Sequence, residues 1–496
     1  MTASEAPARG TVGRGSAYGA AIILGALVLT APSGGGAAVH APTIVVLVTI
    51  DTLRADHLSC YGYPRRTTPF IDSLAAGGVL FEDALTTCPL TAPAHAALFT
   101  GLHPLQHGVR RNGEALDAKL PTLASAFRQA GYEAAGFSAV QFLEEVRSGF
   151  DPFLAPRSAA VEPQAVARPA EPPPGGPRKV TQRVAIQPYR NARENVDQVV
   201  RWLDGVAPGT RVFVWLHLYD PHGPQHPPAD LLSKMTAATP AERVPIEAFL
   251  KLSERVAPGE RDRVRSAIDA YDAEVAFADR ELGRLHEAMQ LRGDPMVWVV
   301  TADHGEGLGD HGYDDHSMRL YTEELHVPLI VNGPGVRGGV RARGLVSHLD
   351  LWPTLVELAG LRPRGDVRRE GTSLVPVLRK GTRLPERALF FQRPPRGAGM
   401  RIPPDEIHDT TVDPDLYGVQ EGTLKMIRHP TGRDEIYDLG EDPGELRNLQ
   451  GSVAVEERLQ ERADQARRAA EASAPASTTA PTADHEGELK SLGYVQ

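Results

Sequence analysis

Two cysteines in 496 residues, Cys60 and Cys88, stand in neither a C-x-x-C nor a Cys/His spacing, which excludes a cysteine-built metal centre. Sequence leaves two readings of them open, a disulfide and two semi-buried small side chains, because a bridge needs a Cα separation of about 4.4–6.8 Å. A dense run of Lys and Arg is also missing, and the formal charge of −10 disfavours nonspecific binding to nucleic acid or to anionic lipid. No nucleic-acid partner is expected. Nor is there an apolar run of the roughly 20 residues that a comfortable membrane span requires. The shorter run "AAIILGALVLTAP" follows Arg9 and Arg14 and precedes the small-residue stretch "SGGGAAVHA", the layout of an export signal. Residues 1–40 are therefore expected to be a signal peptide or an uncleaved N-terminal anchor. Any membrane attachment would run through this segment only, with the remainder exported to the periplasm, cell envelope or exterior. No cysteine follows the apolar run, so a lipid-modified N-terminus is not expected.

What is present is an ordinary globular balance, 41% hydrophobic and 23% charged, which argues against wholesale disorder. "PTIVVLVTID" is a continuous apolar, β-branched run ending at a carboxylate, the pattern of a strand buried on both faces of a parallel sheet. The pattern recurs at "RVFVWLHLYD" (211–220), "MVWVVTADHG" (296–305) and "VPLIVNGPG" (327–335). Helical segments alternate with it: "TPFIDSLAAGG", "PTLASAFRQAG", "NVDQVVRWLDG", "RVRSAIDAYDAEVAFADRELGRLHEAM" and "LWPTLVELAGL". The expected fold class is α/β, a doubly wound, mostly parallel sheet. Ligands in such sheets sit outside the carboxyl ends of the strands. Asp51, Asp220, and Asp303 with His304 each close a hydrophobic strand there. One Asp after a strand is usually a turn or a cap, but three converging strands warrant a site.

The catalytic domain is expected over 41–385, with a Pro- and Ala-rich insertion at 155–188. "GTLKMIRHP" and "DEIYDLGEDPGELRNL" suggest a small C-terminal α+β subdomain over 386–470, with an antiparallel unit followed by a helix at about 453–470. Residues 471–496 read as a low-complexity tail, within which "LKSLGYVQ" could dock.

The stretch "TTCPLTAPAHAALFTG" (86–101) raises the question of a nucleophile. Thr91 reads as an N-cap, with Pro93 in the first turn and Gly101 at the helix end. A hydroxyl at the positive end of a helix dipole sits where an anion is stabilised and deprotonation is favoured. The plainer reading is a helix cap and nothing more.

The order of seven motifs resembles the sulfatase family of the alkaline phosphatase superfamily. They are "IVVLVTIDTLRADHLSCYGY", "TAPAHAALFTG", "HGVRRNG", "HLYDPHGPQHPP", "VVTADHGEGLGDHG", "YTEELHVPLIVNGPG" and "EIYDLGEDPGELRNL". The resemblance spans most of residues 43–449 and implies a metal-dependent hydrolase or transferase acting on a small-molecule, glycan or lipid ester. Members of this family carry C-x-P-x-R in the nucleophile block, and its cysteine becomes formylglycine. Aligned on Pro93, that block puts Thr91 at the position of the cysteine and His95 at that of the arginine. Cys88 is out of register, with Leu90 where the proline should stand and Ala92 where the arginine should. Threonine at this position resembles the phosphatase, nucleotide pyrophosphatase and phosphoethanolamine transferase branches. It shifts the expected substrate from sulfate toward phosphate esters, because a threonyl sulfate lacks the second hydroxyl through which a formylglycine hydrate eliminates sulfate.

By the same resemblance Asp51, Asp303, His304 and Thr91 would hold one divalent metal. Thr52 replaces a second acid and His304 an asparagine, so Zn or Mn is favoured over Ca. Asn112, in "RRNG", would contact the oxyanion, although Asn-Gly is by default a turn. His316 would bind substrate and His222 would protonate the leaving group. A second metal would draw on His222, His316 and Asp220. His217 and His311 read as structural or exposed histidines, and Lys425 as a solvated one of its kind. Two alternatives stand beside this reading, a true sulfuric ester hydrolase and a catalytically silent envelope binding protein. Gln225 and His226 replace an aromatic residue common after "DPHxP", which would alter the rim of the pocket.

Overall fold

The structure is a computed structural model that describes residues 41–156, 189–237, 261–363, 367–395, 415–429, 432–451, 454–474 and 489. Residues 1–40, where an export signal or anchor is expected, the Pro-rich insertion from 157 on, most of the loop 392–409 and the tail beyond 474 (save residue 489) lie outside the described residues. No helix among the described residues is long and apolar enough to cross a membrane.

The apolar runs do form central strands. An eight-stranded sheet has the order β4-β3-β5-β1-β6-β7-β2-β8, with β1 Ile44–Ile50, β2 Val79–Leu85, β3 Glu133–Phe137, β4 Phe153–Leu154, β5 Val212–Leu218, β6 Met296–Ala302, β7 Leu329–Asn332 and β8 Val340–Ser347. All pairings are parallel except those of β7, which runs antiparallel to both of its neighbours. Every residue of β1 and β5 is buried, as expected of strands covered by helices on both faces. On the covering layers lie helices α1 Pro69–Gly77 and α2 Thr91–Thr100, together with Ala192–Asp204, Arg261–Gln290 and Leu351–Leu358.

Register places the site. In the β5-β1-β6 trio, Thr49 pairs with His217 and Thr301, and Ile50 pairs with Leu218 and Ala302. Asp51 and Asp303 therefore leave the sheet side by side at its carboxyl edge, and Tyr219, Asp220 and His222 leave the adjacent strand end.

The antiparallel unit expected near the C-terminus is a four-stranded sheet of order β12-β11-β10-β9, formed by β9 Ala388–Arg393, β10 Leu416–Glu421, β11 Leu424–Arg428 and β12 Glu435–Asp438. The helix Glu456–Ala472 packs Leu459 and Ala463 against Val419, Met426 and Ile436 of this sheet. Lys425 is not solvated: it is 1% exposed, and its Nζ lies 2.7 Å from the equally buried carboxylate of Glu445. Both cysteines are free, so the disulfide reading is corrected.

Candidate active site

The helix α2 is buried along its whole length, which its run of alanines permits by allowing close approach to the sheet. Its N-cap is Leu90, so Thr91 is the first helical residue rather than the cap. The capping is done from elsewhere: Ala92 N–H donates to Oδ1 of Asn112 at 2.8 Å. Thr91 Oγ1 lies 3.3 Å from Nε2 of His304.

His304 has a defined tautomer. Its Nδ1–H donates to the Gly305 carbonyl at 3.0 Å, which leaves the Nε2 lone pair facing Thr91. That nitrogen is 3.5 Å from Oδ2 of Asp303 and 3.9 Å from Oδ1 of Asp51. The donor atoms of Asp51, Asp303 and His304 all lie within 4.8 Å of one another. Asp303 Oδ1 accepts from the backbone N–H groups of Thr52 and His304, at 3.2 and 2.9 Å. Asp303 Oδ2 and both oxygens of Asp51 are buried with no hydrogen-bond partner among the described residues. Burial, helped by Glu306 and opposed by His316, pushes Asp51 up to about 8. Burial and then the neighbouring Asp51 raise Asp303 well above the usual range, while burial and His316 depress His304. Two buried, underpartnered carboxylates beside an imidazole lone pair form a site that a divalent cation fits.

Thr52, which stands in place of a second acid, holds a left-handed backbone with φ of 53°, a costly conformation for a β-branched residue. Tyr271 holds it there by donating its hydroxyl proton to the Thr52 carbonyl at 2.7 Å and accepting from Arg54 N–H at 2.9 Å. The Arg54 guanidinium in turn ties down the loop after β6, through Asp310 at 2.7 Å and the carbonyl of Glu306 at 3.1 Å.

The histidines expected around the substrate do converge. His316 stacks on His304 with ring centroids 4.6 Å apart, and His222 meets His316 edge-on at 4.9 Å. Burial would depress His316, but Glu306, Asp315 and Asp51 outweigh it and bring it to about 10. His222 donates Nδ1–H to Gly223 O at 2.6 Å and is depressed by burial and by His316. Asn112 has its Oδ1 fixed, and its buried Nδ2 has no partner among the described residues. Asp220 is spent on Ala192 N–H at 2.7 Å, at the start of the helix Ala192–Asp204, and so offers little to a second cation. His311 pairs with Glu323 at 2.6 Å, a structural role as expected.

His217, read from the sequence as a structural or exposed histidine, lies beside the site. It is buried, with Nε2 at 3.3 Å from Asp51 Oδ2. Strand parity carries the signal, since His217 is in register with Thr49 and so shares the face of Thr49 and Asp51. His95, at the arginine position of the nucleophile block, is engaged at both ring nitrogens, by Thr91 O at 2.8 Å and Thr49 Oγ1 at 2.9 Å. Cys88 is fully buried, and burial raises its thiol far out of the reactive range.

Comparison with known proteins gives consistent findings. The family model described as Sulfatase matches residues 43–361. The chain is 26% identical over 440 residues to the Delta 4,5-hexuronate-2-O-sulfatase of Bacteroides thetaiotaomicron, covering 80% of this chain and 83% of that one. It is 25% identical over 418 residues to Arylsulfatase K of Mus musculus, covering 77% and 71%. Among solved structures, the phosphonate monoester hydrolase of Agrobacterium radiobacter matches with a TM-score of 0.59 and 24% identity, covering 86% of this chain and 95% of that one.

Proposed function

Because this chain belongs to the sulfatase family of ester-hydrolysing enzymes, we propose that it cleaves phosphate esters in preference to sulfate esters, through a covalent intermediate on Thr91. The observation that carries this is the approach of Thr91 Oγ1 to His304 Nε2 beside Asp51 and Asp303, while Cys88 lies buried and out of register. Asp51, Asp303, His304 and Thr91 would hold one divalent cation. The nitrogen donor favours Zn or Mn over Ca. When bound, that cation would supply Lewis-acid polarisation of an ester oxygen and favour the alkoxide form of Thr91.

The chain's own groups account for the rest. Thr91 gives up its hydroxyl proton to solvent and attacks phosphorus, forming the Thr91 O–P bond as the P–O bond to the leaving alcohol breaks. Asn112 directs its unpartnered Nδ2–H toward the developing oxyanion. His316 supplies the proton that the leaving alkoxide takes up, with the adjacent His222 ring, proposed from sequence for that role, able to relay it only after taking a proton on Nε2. Of the two, His316 is the one whose positive charge Glu306 and Asp315 favour. Attack by water, or by an acceptor alcohol, on the phosphothreonine then frees Thr91. Substrates of small-molecule, glycan or lipid type are the candidates, and export would bring the enzyme to them in the cell envelope or beyond.

Sulfate ester hydrolysis is the second reading, favoured by the names of the curated relatives, which are sulfatases. Paired aryl phosphate and aryl sulfate substrates separate the two. The assignment is tested by metal analysis of the purified protein, with mass spectrometry of the peptide spanning 86–101 after brief exposure to an aryl phosphate. The expected result is about one Zn or Mn per chain and a phosphoryl adduct on Thr91 that is lost in Thr91→Ala. Formylglycine at Cys88, or undiminished turnover by Thr91→Ala, refutes it.

A further inference from the structure

The cluster of His95, His217 and Asp303, whose donor atoms lie within 4.8 Å of one another, has the composition of a second cation site. The hydrogen bonds rule that use out. His95 donates Nδ1–H to the Thr91 carbonyl, so its Nε2 lone pair must accept from the Thr49 hydroxyl, whose oxygen accepts in turn from Trp215 Nε1–H at 3.0 Å. Neither nitrogen of His95 is left for a metal. His217 accepts Ala139 N–H on Nδ1 at 3.4 Å, so its one proton resides on Nε2. The nitrogen that faces Asp51 is a donor and presents no lone pair.

We propose that His217 is a positioning residue that donates Nε2–H to Asp51 Oδ2 and so fixes the carboxylate that faces the cation. The proposal rests on the reading of Asp51 as a ligand. His217 Nε2 and Asp51 Oδ2 approach to 3.3 Å, both side chains are fully buried, and neither atom makes a hydrogen bond among the described residues, so each is the nearest group able to satisfy the other once the carboxylate settles. The ring is held in place. Trp215 stacks on one side with centroids 6.0 Å apart, and His95 meets it edge-on at 5.0 Å. The strand beneath is pinned by Asn195 Nδ2, which donates to the His217 carbonyl at 2.7 Å and to the Phe137 carbonyl at 3.1 Å. With Oδ2 engaged by His217, Oδ1 is the oxygen of Asp51 left for the side facing His304, from whose Nε2 it lies 3.9 Å. Groups that orient a ligand in this way typically govern about 10–100-fold in metal affinity.

The experiment measures Zn and Mn dissociation constants by chelator competition on the full chain, for wild type, His217→Leu, His217→Gln, Asp51→Asn and the double variant Asp51→Asn/His217→Leu. His217→Leu is expected to weaken cation binding about 10–100-fold. His217→Gln, which retains an N–H donor, should recover most of that loss. In the Asp51→Asn background the leucine should cause no further loss, because its effect is relayed through that carboxylate. At saturating cation, KM for an aryl ester should stay at the wild-type value. Equal weakening by Leu and Gln, or full additivity in the double variant, overturns the proposal in favour of a packing role. Should His217→Leu fail to fold, the Gln variant and the double variant carry the same comparison. If Asp51→Asn itself leaves affinity untouched, the ligand assignment fails and the proposal falls with it. A drop with Asp51→Asn but none with His217→Leu overturns only the proposal.

Discussion

Under the proposed mechanism Asn112 has two tasks for two different atoms, and substitution can separate them. Its Oδ1 accepts Ala92 N–H at the start of α2, and its Nδ2 has no partner among the described residues. Asn112→Ala removes both. Loss of the cap should destabilise the fold by about 1 kcal/mol, a drop in Tm of at most about 2–4 °C. Loss of the donor should lower kcat by about 10²–10³-fold, or about 2.7–4 kcal/mol of transition-state stabilisation. Asn112→Asp keeps the acceptor, and the desolvation cost of burying its carboxylate opposes the favourable placement of a negative charge at a helix N-terminus. The substitution also replaces the donor by an oxygen that repels an incoming anion. Ala is therefore expected to be less stable than wild type, and the order for activity is wild type, then Ala, then Asp. Thermal unfolding and kcat/KM on aryl phosphate and aryl sulfate measure both. An Asp variant within a few-fold of wild-type activity would refute the donor role of Nδ2.

Other substitutions probe the support of the site. A Cβ on Gly305, the residue after His304, would stand 1.9 Å from the Glu323 carbonyl, so Gly305→Ala must displace the loop and should weaken cation binding along with Tm. Burial alone would raise Glu323, but His311 and Arg54 outweigh it and hold the carboxyl at about 2, below its ordinary 4.5. The folded value lies below the unfolded one, so this stabilisation is complete above about pH 4.5 and is lost as pH falls toward 2. His311→Leu should therefore move the acid unfolding midpoint to higher pH, as followed by circular dichroism. Lys425→Met leaves the Glu445 carboxylate buried without its partner and should cost about 3–5 kcal/mol. Chemical denaturation should show most of that loss recovered when Glu445→Gln is added, and additive losses would contradict the pairing.

The sequence located those parts of the fold whose pattern has a single cause. Strands β1, β5, β6 and β7 are apolar because they are covered on both faces, and their carboxyl ends marked Asp51, Asp303 and His304. Strands β2, β3 and β8 left weaker signals. The first carries Glu82 and Asp83 in its middle, the second is "EAAGF", with little β propensity, and the third alternates exposed arginines along the sheet edge. Thr91 was legible by position, but its place inside rather than before the helix depended on Asn112 capping from 20 residues away. His217 looked like one polar residue in an apolar run. Its meaning depends on cross-strand register, which no single segment contains. Lys425 misled for a related reason, since its partner Glu445 lies beyond the next strand.

A threonine rather than a cysteine as nucleophile would bear on how the enzyme comes into being. By the family resemblance, a nucleophile made from cysteine needs a conversion to formylglycine that a threonine does not. Here the Cys88 thiol is 0% exposed, and the hydroxyl beside His304 is written in the gene. With Thr91 as the attacking group, folding and cation uptake complete the site without outside help. Specific activity should then be the same from any host able to fold the chain, whether or not that host can modify cysteines.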